Sequence, residues 1–337
     1  MCKKGKGTMY RYDTFHDDVC LELIDNVRDG VTRQAYIFEG PEGLNILESA
    51  KLFATALTCK NKDTAPCGQC EICSLSYADT NPDIVFINAG DKKSIGIDKI
   101  REMSKDVFVK PFEADNKVYI IEDGWMLTDE AQNAMLKILE EPPEYAVFVI
   151  ITTSSAVLLP TVSSRCTKVR FTPLSEDKMK SYIEQKYQDT EEDMGFLVRY
   201  SQGIPKAADD IIKDPDFGPL RRESFKMLTP LLSKHRISAY AVAEFLENNK
   251  EKAELILDLW QSFLRDVILM QNDGERLCVN SDLKEELLKL ASKLPDNCSV
   301  IALDCLISAK AMLKRYVNLH VLSLKLSFSI KNSIYQY

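Results

Sequence analysis

A chain of 337 residues is long for one small domain and predicts two or three. With 45% hydrophobic and 28% charged residues it has ample core material, and its net charge of -8 excludes a surface that is one continuous nucleic-acid footprint, leaving room only for a local basic face. No apolar run approaches the roughly 18–20 residues that span a bilayer, so no membrane role is expected.

The N-terminal stretch MCKKGKGTM is basic without the apolar segment of an export signal, and reads as a disordered leader with Met9 as a second candidate start. The ten cysteines are then expected to be thiols or metal ligands of a cytosolic chain, not disulfides. From Tyr10 to Phe171, helical and strand-like segments alternate. Helices are predicted over Asp17–Arg28, Leu47–Leu57, Ile97–Val107 and Asp129–Leu139, the last capped by Thr128 and stopped by Pro142–Pro143. Strands are predicted over Ala35–Phe38, Asp83–Ile87, Val118–Ile121, Ala146–Thr152 and Lys168–Phe171. Most of these are continuous apolar runs, as expected of a parallel sheet covered on both faces, so this part is an α/β domain.

The first strand leads into GPEGLNIL, which has the outline of a phosphate-binding loop. A working loop reads G-x-x-x-x-G-K-[ST], its backbone N–H groups and Lys meeting phosphate and its hydroxyl holding Mg²⁺. Counted from Gly40, with Gly43 inside the turn, the last three places fall on Asn45, Ile46 and Leu47. The glycine, the cation and the hydroxyl are all missing. Next, Cys59, Cys67, Cys70 and Cys73 give C-x7-C-x2-C-x2-C, with Gly68 permitting a tight knuckle. Four thiolates at that spacing suit a closed, structural Zn²⁺ site; an iron–sulfur cluster and simple free thiols are the other readings. The strand before Glu122 and Asp123 ends in two acids, the pattern of a magnesium-holding and water-orienting pair, although acids at a strand end can equally be solvated. Then SSRC (Ser163–Cys166) follows the fourth strand on a loop containing Pro160. On residue chemistry alone Arg165 is a solvated or salt-bridged arginine, or a functional one.

Beyond Pro173 the strands cease. Helices are predicted over Ser175–Tyr187, Glu191–Ser201 and Pro205–Lys213, then Arg222–Leu232, Ile237–Asn248, Lys252–Gln271, Asp282–Leu294 and Cys298–Asn332 with a break. Asp214–Pro219, with two prolines and a glycine, is the expected boundary.

Together, QAYIFEGPEG (Gln34–Gly43), the four-cysteine insert, IGIDKIREM (Ile95–Met103), VYIIEDGWMLTDEAQNAMLKILEEPP (Val118–Pro143), SRC (Ser164–Cys166) and SQGIPKAA (Ser201–Ala208) resemble the clamp-loader branch of the AAA+ family. RYVNLHVLSLKL (Arg315–Leu326) resembles it more loosely. The pairing of LEEPP (Leu139–Pro143) with SRC is specific to that branch. The resemblance implies an AAA+ α/β domain over residues 1–172 with the zinc module inserted, a small helical lid over 173–215, and an all-α collar over 216–337. It implies zinc as a structural metal held by Cys59, Cys67, Cys70 and Cys73. It also implies the partners: loader ATPase (gamma/tau) and delta subunits, and through the assembly a sliding clamp and primer–template DNA. In that family the SRC arginine reaches the γ-phosphate bound by the neighbouring subunit, and this implies the same role for Arg165, with Ser164 and Cys166 shaping the loop. Because Asn45, Ile46 and Leu47 replace the ATPase residues, this chain is not expected to hydrolyse ATP. Lys206 stands where ATPase members carry a sensor arginine, and Thr152 and Thr153 have little left to sense. The alternatives are an ATP-hydrolysing motor subunit of the same loader, opposed by Ile46, and a zinc-knuckle nucleic-acid adaptor, opposed by the sparse charge around CGQCEIC.

Overall fold

The computed structural model describes residues 17–187, 190, 192–232, 238–295, 297–313 and 318–335. The proposed leader with Met1 and Met9, and Arg315–Val317 of the last resembling segment, lie outside them. The described residues form two compact units, one drawn from 1–182 with 203–206, the other from 183–202 with 207–337.

In the first unit the strands β1 (Ala35–Glu39), β2 (Ile84–Ile87), β3 (Lys117–Ile121), β4 (Ala146–Thr152) and β5 (Thr167–Arg170) form one parallel sheet in the order β2-β3-β4-β1-β5. Each lies within a residue of its expected bounds. Side chains alternate across a strand, and here the alternation sorts them into two cores. Tyr36, Phe38, Val118, Ile120, Val147, Val149 and Ile151 meet helices α1 (Asp17–Arg28) and α2 (Ile46–Thr58). On the other face Ile37, Tyr119, Ile121, Phe148 and Ile150 meet the buried sides of α4 (Ile97–Asp106) and α5 (Asp129–Glu140). Between α2 and β2 runs a short helix, α3 (Glu71–Tyr77), which the sequence reading did not predict. The edge strand β5 is largely exposed and carries Lys168 and Arg170, charges that discourage pairing with another sheet. The threonine cap of α5 is as predicted: the Ala131 amide donates to Thr128 Oγ1 at 3.2 Å.

Asp83 departs from its expected place in a strand. Its buried carboxylate accepts from the amides of Phe112 (2.6 Å), Glu113 (3.0 Å) and Ala114 (2.9 Å), while its carbonyl still takes the Val118 amide at 2.8 Å. The residue therefore caps the segment that feeds β3. Both oxygens are used, so an amide would turn a donor toward donors. Asp83→Ala and Asp83→Asn should each cost about 3 kcal/mol and deprotect those three amides in hydrogen exchange. Unchanged protection would refute this anchoring.

α6 (Pro160–Ser163) is a single helical turn where a loop was expected, with Pro160 at its first position, where a missing N–H costs nothing. Beyond β5 the helices are α7 (Glu176–Lys186), α8 (Met194–Tyr200), α9 (Pro205–Lys213), α10 (Phe217–Leu232), α11 (Ser238–Asn248), α12 (Ala253–Gln271), α13 (Lys284–Ala291), α14 (Cys298–Leu313) and α15 (Leu319–Tyr335). Three starts differ from expectation for identifiable reasons. Asp193 accepts from the Phe196 amide at 2.8 Å and so begins α8 at Met194. Pro219 sits in the first turn of α10, which starts at Phe217 and not at Arg222, because proline is tolerated there. Asp282 is drawn out of α13 by Arg221, which donates to both its oxygens at 2.7 and 2.8 Å. Within the second unit the fully buried Trp260 of α12 donates to Ser224 O at 2.8 Å, and the buried Lys331 of α15 donates to Pro230 O at 3.0 Å. Among the described residues no helix is long and apolar enough to cross a membrane.

Candidate functional site

The loops after β1, β3 and β4 leave the carboxyl ends of neighbouring strands, where open parallel sheets form their binding crevices. They line a cavity of about 360 Å³ that contains Gly40–Leu47, Glu122, Asp123, Trp125, Thr152, Thr153 and Lys206. The backbone of the turn after β1 is left-handed at two places. Gly43 has φ 89°, and a Cβ there would stand 2.8 Å from Ile204 and 2.9 Å from Lys206. Asn45 takes the left-handed conformation at φ 56°, a geometry that asparagine tolerates better than most residues, so the missing glycine leaves little mark.

The side chains tell against phosphate. Ile46 opens α2 with 6% exposure, and its Cδ1 comes within 3.0 Å of where a Cβ on Gly40 would be. A methyl group thus leans over the glycine where a lysine would reach forward. Leu47 is half-buried against the same core. Among the described residues lining the cavity Lys206 is the single base, and its Nζ is paired with Glu42 Oε1 at 3.1 Å. Lys51, one helical turn further on, is engaged by Asp79 at 3.0 Å and Glu48 at 3.8 Å. Glu122 and Asp123 both line the cavity. Burial raises the pKa of Glu122, with the Asp123 charge adding to it against a hydrogen bond with Asn88. Burial also raises that of Asp123, helped by Glu42. Thr152 is buried and donates to Ser154 O at 3.2 Å, whereas Thr153 is exposed.

The four cysteines converge. Their sulfurs lie within 4.8 Å of one another, with Cys59–Cys70 and Cys67–Cys73 each at 4.0 Å. A tetrahedron of Zn–S bonds about 2.3 Å long has S–S edges of about 3.8 Å, so the set fits a four-sulfur metal site. The amides of Cys67, Cys70 and Cys73 each donate to the preceding cysteine's sulfur at 3.4 Å, which favours thiolates, and Gly68 at φ 69° makes the knuckle. The Cys59 thiol is held well below its ordinary range, chiefly by a hydrogen bond with Cys73, whose own pKa is raised by the same contact and by burial.

Arg165 lies at the end of α6, apart from the Gly40 cavity and the cysteines. Its Nη1 donates to Thr161 O at 2.8 Å and its Nη2 to Glu140. Ser164 is exposed, its hydroxyl donating to Thr161 O at 3.2 Å. Burial pushes the Cys166 thiol up to about 11, and Cys166 packs against the core, so it stays protonated near neutral pH. The sequence pairs LEEPP with SRC as a family signature without giving Glu140 as the partner of Arg165; the fold brings the two side chains into contact.

A family model described as DNA polymerase III, delta subunit, matches residues 15–175, and one described as DNA polymerase III, delta subunit, C terminal, matches residues 216–325. DNA polymerase III subunit tau/gamma of Haemophilus influenzae is 33% identical over 211 residues, covering 61% of this chain and 30% of that protein. DNA polymerase III subunit delta' of Bacillus subtilis is 25% identical over 299 residues, covering 88% of this chain and 90% of that protein. DNA polymerase III subunit tau of B. subtilis is 28% identical, covering 88% of this chain and 58% of its own length. The matched stretch spans about a third or less of the length of the gamma/tau relatives at 33–36% identity. Among solved structures, a DNA polymerase III gamma subunit-related protein of Thermotoga maritima is 16% identical, covering 95% of this chain and 99% of that one, at a TM-score of 0.39.

Proposed function

This chain belongs to the clamp-loader subunits of DNA polymerase III, and we propose that it is the delta-prime type of subunit, which turns over no ATP and supplies Arg165 in trans to ATP held by a neighbour. The observation that carries the reading is Ile46, whose Cδ1 leans over Gly40 where an ATPase needs a lysine ammonium. Acids at Glu42, Glu122 and Asp123 with one paired base make the cavity a poor home for a triphosphate. Arg165 is by contrast exposed and chemically complete. The partners are then gamma/tau ATPase and delta subunits, with the sliding clamp and primer–template DNA reached through the assembly, in the cytoplasm. Residues 1–172, 173–215 and 216–337 serve as AAA+ domain, lid and collar. Cys59, Cys67, Cys70 and Cys73 hold a structural zinc, which supplies a cross-link and no chemistry.

The greater identity to tau/gamma proteins favours the second reading, an ATP-hydrolysing motor subunit. Turnover separates the two. The purified chain with saturating Mg-ATP should release phosphate no faster than a protein-free blank. Steady hydrolysis near the 1 s⁻¹ end of ordinary enzyme rates, lost on changing Glu122, would overturn the delta-prime reading in favour of the motor.

A further inference from the structure

Helix α5 grips the Arg165 turn at both ends. Gln132, buried at 3% exposure, accepts from the Leu159 amide at 2.7 Å through Oε1 and donates to Leu127 O at 3.3 Å through Nε2. Leu159 is the residue that opens α6, so this amide fixes where the turn begins. Val162, fully buried, seats α6 in the core that also holds Met135 and Leu139 of α5. Eight residues after Gln132, about 12 Å along the helix, Glu140 meets the guanidinium that the turn presents. The Arg165 amide closes the turn on Val162 O at 3.1 Å.

We propose that Glu140 is a positioning residue for Arg165, a role that rests on the trans-acting reading of that arginine. A free arginine side chain samples many rotamers, and a contact across a subunit interface must select one. Here two acceptors on different elements select it beforehand: Thr161 O takes one terminal nitrogen and Glu140 takes the other. Five N–H donors minus the two so used leave the Nε edge and the outer N–H groups for a phosphate oxygen. Both residues keep substantial exposure, 34% for the Arg165 side chain and 50% for that of Glu140, so the guanidinium is oriented without being sealed in. The carboxylate also offsets part of the positive charge that phosphate would meet. Orientation and charge compensation therefore predict opposite results for loss of Glu140. Orientation is the stronger, because the hold at Thr161 O is uncharged and completes a two-point geometry that an acceptor at position 140 alone decides.

The test is a loader reconstituted with Glu140→Ala, Glu140→Gln, Arg165→Ala and the double variant Glu140→Ala/Arg165→Ala. Glu140→Ala should lower the Arg165-dependent kcat for ATP about tenfold with KM for ATP unchanged. Glu140→Gln keeps an acceptor and should restore most of the rate, and the double variant should be no slower than Arg165→Ala. Matching thermal transitions of the variant chains will show that the exposed site tolerates the changes. Wild-type turnover by Glu140→Ala beside an impaired Arg165→Ala would overturn the positioning role and leave the trans arginine standing. Faster turnover by both Glu140 variants would also overturn it, making the carboxylate a restraint. Wild-type turnover and wild-type clamp loading by Arg165→Ala would together remove the trans reading and this inference with it.

Discussion

Arg165→Ala is expected to abolish productive ATP turnover at the neighbouring site, slowing that step by about 10³-fold or more, while the chain itself folds as before. The two halves of this expectation have separate causes. Phosphoryl transfer spreads charge over the equatorial oxygens, and a planar guanidinium can meet two of them at once in a way an ammonium cannot. Arg165→Lys should therefore be nearly as damaging. Stability is another matter: the side chain is exposed, and its ion pair with Glu140 is of the surface kind worth about 0–1 kcal/mol. Phosphate release and clamp loading by the reconstituted assembly give the measurement, because the other ATP sites could mask one silenced site in turnover alone. Unimpaired loading and turnover with Arg165→Ala would leave this chain a scaffold.

Much of the α/β unit was legible because its strands are buried on both faces and read as unbroken apolar runs, which leaves little ambiguity of period. Ala146–Thr152 is the clearest case, with every residue buried. Helix starts were less legible because single side chains move them. Asp193, Asp282 and Asp83 each bind backbone or arginine partners in ways that composition does not reveal, and Pro219 marks the start of a helix and not a linker. α3 was overlooked because its seven residues are too few for a periodic signal and two cysteines open it. The site divides along the same line. The four cysteines and the altered loop are local in sequence and could be read from spacing. The Glu140–Arg165 pair spans 25 residues and exists only because β4 returns the chain beside the end of α5. Ile46 is legible as a missing cation, but its approach to the Cα of Gly40 arises only in the folded turn.

Replacing Cys67 and Cys70 by Ser should take the chain from about one bound zinc to none, the largest change in binding free energy expected for any alteration here. Structural zinc contributes roughly 10–16 kcal/mol of apparent binding energy in small zinc-finger peptides, yet global unfolding is not the expected result. The sheet has two cores of its own, and a metal held by the cysteines would brace only the Cys59–Cys73 corner of one of them. What a bound metal would secure is local: Ala65 O takes Arg28 Nε at 2.9 Å, and Lys62 donates to Leu57 O at 2.6 Å, so polar ties of the insert to α1 and α2 are few. With the metal gone, the close-set sulfurs would either share protons or repel as thiolates, and those ties are too weak to hold the knuckle against that. Amides from residue 59 to 77 should then lose exchange protection, while α12 and Trp260 keep theirs. Acid should act like the substitution, since protons compete with metal for thiolates, so zinc release should rise as pH falls. Protection unchanged after complete metal removal would mean that packing alone builds the knuckle. An iron-dependent visible spectrum in the purified chain would replace zinc with a cluster held by the same four sulfurs.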